Sequence, residues 1–179
     1  MNLSQYEFPL LIFVVLATLF LGGIVFYREK KSSSNILFFL LCFSFAGWGV
    51  INYFSIYPPF GDKLMWIRLV LLSAAPQAVL FALFIDTFPN AKMSLSKKNI
   101  YLAVLVLFLQ MVLAVSPFVF KGTSVVNGNV VPQPGFGIIY YVAIMVFSFS
   151  YGIYSLIKKF LLSKGEEKNQ DGGRKRGRR

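Results

Sequence analysis

Residues 64–88 read LMWIRLVLLSAAPQAVLFALFIDTF. Twenty-five residues in a helix rising about 1.5 Å each span about 37 Å, more than a hydrocarbon core of about 30 Å. The segment must therefore tilt, bend at Pro76, or carry its ends into the headgroup layers. Arg68 lies one turn inside one end and Asp86 just inside the other. They are roughly 27 Å apart along a helix, so they cannot pair and each must find water, headgroups or a neighbouring helix. This stretch reads as the central helix of a membrane protein.

Four further apolar runs flank it, at 8–27, 36–57, 100–119 and 138–157. The chain of 179 residues is 56 % hydrophobic, with a mean hydropathy of +0.66, against about 45–50 % apolar residues in ordinary soluble domains. The fold class expected is an all-α integral membrane protein with five transmembrane helices. A membrane domain over 1–162 is followed by a basic tail, 163–179, too poor in apolar residues to fold and expected to be disordered. The first run has no basic start and no small-residue cleavage site, so it reads as a retained span. Between the fourth and fifth runs, 120–137 contains Val125-Val126, Asn127-Gly128 and Val130-Val131, a strong β-hairpin signal. Pro132 and Pro134 are expected to stop any longer strand.

Charge orients the bundle. Three Lys or Arg follow the first run, three lie between the third and fourth, and nine lie from Lys158 onward, which is 15 of 18. The positive-inside rule then places the N-terminus outside and the tail in the cytoplasm, as an odd number of spans requires. Tyr57, Trp66, Phe120, Phe136, Tyr140 and Tyr141 fall at the outer ends, where amphipathic rings settle at the headgroups. The location implied is the cell membrane, with the lipid bilayer as the first partner. The basic tail could attract anionic lipids, and without interleaved aromatics it does not read as a nucleic-acid site.

Few side chains suggest chemistry. There is no histidine, which removes His-ligated metals, HExxH peptidases and phosphohistidine chemistry within this chain. The single cysteine, Cys42, sits in an apolar run, so no disulfide framework is expected. No carboxylate pair, metal-ligand cluster or phosphate loop appears, so neither an enzyme nor a cofactor or metal is expected. An ionisable group inside a span is a candidate for function, although Arg68 could snorkel to headgroups beside Trp66 and Asp86 reads as a solvated helix end. Asn52, Gln77 and Gln110 are explained by helix-to-helix hydrogen bonds. Gly22, Gly23, Gly47, Gly49 and Gly152 read as close-packing points. Trp48, Asn52, Trp66, Arg68 and Gln77 are the candidate ligand-binding residues, and Pro76 the candidate hinge.

These features resemble the N-terminal seven-helix membrane region of bacterial sensor histidine kinases. The resemblance rests on Trp48 in the second span, WIRLVLLSAAPQAVLFALFIDTF in the third, the Gly/Pro exit of the hairpin at 128–137 and GEEKNQ after the fifth. It implies a sensory input module of a two-component system, here truncated to five helices. Such a module would lack kinase activity of its own and read an unknown small-molecule ligand, as a homodimer or with a partner signalling protein. The competing readings are a small-solute transporter or channel subunit, and a scaffold subunit packing through its Gly and Ser faces. Missing inverted repeats and the lack of a midplane charge weigh against transport.

Overall fold

The computed structural model describes residues 4–88, 95–126 and 129–176, with the backbone alone at 4–5, 129 and 162–176. Five helices and one hairpin follow in order: α1 (Ser4–Arg28), α2 (Ser33–Ile56), α3 (Lys63–Thr87), α4 (Lys97–Val115), β1 (Phe120–Val126), β2 (Asn129–Pro134) and α5 (Gly137–Arg176). Among the described residues these five helices are long and apolar enough to cross a membrane, α5 over Gly137–Leu161. The backbone of α5 stays helical to Arg176, through much of the stretch read from composition as a disordered tail. Side chains there, and residues 177–179 altogether, lie outside the described residues.

Local chemistry sets the helix starts. Ser32 caps α2 by accepting from the Asn35 N–H at 3.4 Å, as the Ser/Asn run after α1 suggests. Asp62 accepts from Leu64 N–H at 3.3 Å at the start of α3, and Ser96 from Asn99 N–H at 3.4 Å at the start of α4. Each satisfies one of the orphan donors of a first turn. Before α3 the turn closes at Gly61, whose φ of 73° is left-handed backbone and favours glycine.

Burial runs opposite to that of a soluble bundle. Phe13, Phe20 and Phe147 are about 70 % exposed (69, 71 and 74 %), a surface that water would not tolerate and lipid does. At the centre, α3 packs against α2, α4 and α5, while α1 packs on α2. The tightest point is Ala75, Ala114 and Tyr141, bordered by Leu71, Leu72, Leu107 and Met145. Small residues let the backbones of α3 and α4 approach closely there.

The hairpin forms where Val125 and Val126 face Val130 and Asn129 across an antiparallel ladder. The Asn127-Gly128 dipeptide that signals it lies outside the described residues. One expectation fails: β2 runs through Pro132 and ends on Pro134 rather than stopping before them. The sheet has two strands, so each strand has an unpaired edge. Two prolines of the same parity can turn their missing N–H groups to that edge at no loss to the ladder. Lys121 is the extra residue of a bulge, where the register shifts between Phe120 and Gly122.

Candidate functional site

At the hairpin end of the bundle, α3 is tied to its neighbours by two side chains from its first turns. Arg68 Nη2 donates to the Phe120 carbonyl at 2.8 Å, joining α3 to β1. Its Nε is buried without a partner. The guanidinium thus holds the hairpin. Trp66 is 7 % exposed, with Nε1–H donating to the Phe60 carbonyl at 2.8 Å and its ring against Phe54 and Phe60. It pins the Pro58-Pro59 turn and does not join a lipid-facing aromatic belt. Tyr141, also expected in that belt, is buried. Tyr57, Phe136 and Tyr140 are exposed there. Nearby, the Tyr57 hydroxyl donates to Glu7 at 3.1 Å, and that hydrogen bond with the carboxylate charge pushes the phenol above its ordinary pKa.

The lysine-rich end is tied differently. Lys159 Nζ of α5 donates to the carbonyls of Ile85 at 2.7 Å, Asp86 at 2.5 Å and Phe88 at 2.7 Å. These lie in the last turn of α3 and at its cap, whose carbonyls have no partner within the helix. The ammonium also sits where the helix dipole is negative. Asp86, read as a solvated end, accepts from the Leu95 N–H at 3.1 Å and so holds the connection into α4.

Between these ends lies Pro76, inside a helix that continues through it. Proline has no N–H to give to the carbonyl four residues back, that of Leu72. One turn from that break, the Tyr141 hydroxyl donates to the Leu71 carbonyl at 2.6 Å. Ser44 Oγ of α2 reaches the Ser73 carbonyl at 3.4 Å. The hydrogen bonds expected of the buried amides are not made. Gln110 is fully buried with neither amide atom partnered, and Gln77 Nε2 is unpartnered too. Asn52 contributes its backbone carbonyl, accepting from Ser55 Oγ at 2.7 Å.

The candidate ligand-binding residues are spread over α2 and α3. Trp66 and Arg68 share the hairpin end of α3. Trp48 and Asn52 lie one turn apart on half-buried positions of α2. Gln77 lies about 14 Å further along α3 than Arg68. A cavity of about 560 Å³ opens instead in the other half of the bundle, between α3 (Val79, Ala82), α4 (Ala103, Val106) and α5 (Ile144, Phe147). No group of three or more metal-ligating side chains occurs among the described residues.

Sequence reasoning missed Lys159 and Tyr141. Lys158 and Lys159 are indistinguishable as charges closing a span, and nothing local shows which one turns inward. Of the packing glycines, Gly22 and Gly152 are pressed against Cys42 and Phe81, Gly49 makes ordinary contact with Leu11, and Gly23 and Gly47 face open space.

No curated protein and no solved structure matches the chain. Residues 10–171 match the family described as the N-terminal 7TM region of histidine kinase. That match covers most of the sequence, and the chain belongs to this family of multi-pass membrane sensor regions.

Proposed function

We propose that this chain is a signal-input module of the cell membrane, with no kinase activity of its own. Its hairpin faces outside and its lysine-rich end faces the cytoplasm. The family match over 10–171 carries the reading, and the ties at the two ends of α3 suggest how it works. A signal that moves the hairpin, or binds near Trp48, Asn52, Trp66 and Arg68, would pull on Arg68. The shift would run along α3, with Pro76 as the flexible point and Gln77 beside it, to the carbonyls held by Lys159. It would thereby reach α5, the helix that leaves the bundle toward a second copy or a partner signalling protein. The signal must bind two arrangements of the bundle with different affinity, or nothing is transmitted.

Arg68→Ala tests the relay. It removes one charge-assisted hydrogen bond but also an unpaired buried N–H, so stability should change by no more than about 1 kcal/mol. The distance distribution between spin labels at Thr123→Cys and Tyr154→Cys, in a Cys42→Ala background, should shift and broaden. An identical distribution with and without Arg68 would overturn the relay. Passage of a small solute through liposomes holding the protein would favour the transporter reading instead.

Orientation has its own check. In intact cells a membrane-impermeant maleimide should label Lys121→Cys, while Lys30→Cys should react only after permeabilisation. The reverse pattern would invert the topology.

A further inference from the structure

We propose that the groove between α3, α4 and α5 binds one acyl chain of an anionic phospholipid from the surrounding bilayer, with the headgroup at Lys97 and Lys98. This rests on the membrane-spanning architecture and not on the sensor reading, so either can fail without the other. Its volume of about 560 Å³ lies within the usual range of small-molecule sites, about 300–1,000 Å³.

The lining is mostly apolar, and its three polar residues all lie toward one end of the bundle axis. Asn99 and Tyr151 line the lysine-rich end, and Ser148 follows one turn in. Toward the middle of the bundle the lining is Val79, Val106 and Ile144. An amphiphile has the same gradient. The groove is also open along its side, since the lining residues Leu102, Phe147 and Tyr151 are exposed. In a bilayer that opening meets acyl chains, and an apolar void beside them has no reason to stay empty.

Charge selects the headgroup. Lys97 and Lys98 are exposed and lie in sequence between two lining residues, Leu95 and Asn99, at the first turn of α4. Exposed Lys158 and half-buried Lys159 stand at the same end of α5. Among the described side chains of α3, α4 and α5, the acidic group at this end is Asp86, whose carboxylate accepts the Leu95 N–H. Among these described side chains the mouth is net cationic. Each lysine near a membrane surface contributes about 1 kcal/mol toward anionic lipid.

The test is native mass spectrometry of the protein released from vesicles of phosphatidylglycerol and phosphatidylcholine in equal amounts, with matched chains. One retained phosphatidylglycerol is expected. The joint variant Lys97→Gln with Lys98→Gln should lower the preference over phosphatidylcholine by about fivefold per lysine. Ala103→Phe, which fills the groove, should remove the retained lipid. Equal retention of both lipids would overturn the proposal, as would phosphatidylglycerol that persists in Ala103→Phe. A protein dimer without retained lipid, lost on Ala103→Phe, would also overturn it and assign the groove to a second copy of the chain.

Discussion

Gly135→Ala should destabilise the bundle by about 3 kcal/mol, far more than a methyl group ordinarily costs on a loop. A Cβ at Gly135 would fall on the backbone carbonyl of Phe118. Unlike a flexible side chain, that carbonyl cannot move aside alone. It accepts from the Gly137 N–H at 2.9 Å, and the next carbonyl, Val119, accepts from Gly135 N–H at 2.7 Å. Together these bonds clasp the chain leaving α4 to the chain starting α5. A Cβ at Gly137 would likewise crowd Phe118. Displacing the strand breaks both bonds next to Val119, which is fully buried, where an unmade hydrogen bond costs about 1–3 kcal/mol. Gly122→Ala is the control, because a Cβ there meets nothing within 4 Å. It should cost less than about 0.5 kcal/mol. The check is denaturation in detergent followed by loss of helical circular dichroism. Equal midpoints for the two variants would refute the clasp.

What the sequence discloses and what it withholds follow from the bilayer itself. A span must be long and apolar, so the helices stand out by length, and Val-rich strands around Asn127-Gly128 mark the hairpin. Lipid, however, accepts apolar residues on every face. The periodicity that tells a soluble helix which side is buried is therefore weak here. Phe13 faces outward and Ala75 inward, yet composition treats both as membrane residues. For the same reason Gly22 and Gly23 look alike, though one is pressed on Cys42 and the other on nothing. Trp66 and Tyr141 carry the signature of headgroup anchors, because an interfacial aromatic and a buried one with a carbonyl partner share the same residue type and depth. Gln110 resists in a different way. Its burial was foreseeable, whereas the missing partner depends on the exact spacing of α3, α4 and α5, which no local pattern encodes.

Lys159→Met should loosen α3 from α5 by about 2 kcal/mol while leaving α5 itself intact. Methionine keeps much of the aliphatic stem and a good helix propensity, so the loss isolates the ammonium. That group donates to three carbonyls at the end of α3. Charged hydrogen bonds contribute about 1.5–3 kcal/mol each when fully buried. Here the bonds share one donor group, the site is half-buried and water can replace part of them. A cation at a partly buried helix C-terminus contributes up to about 2 kcal/mol, which sets the estimate. Lys158→Met, one position away and exposed, should change stability by less than about 0.5 kcal/mol. Lys159→Arg should recover part of the loss, since a planar fork can meet two of the carbonyls but not the compact trio. Denaturant midpoints in micelles measure all three variants. A spin-label distance between Phe88→Cys and Leu156→Cys, again in Cys42→Ala, reports whether the helix ends part. If Lys158→Met and Lys159→Met were equivalent, the lysine end of α3 would not be held through α5. The route from the hairpin to the departing helix would then have to pass through the Tyr141–Leu71 contact beside Pro76 instead.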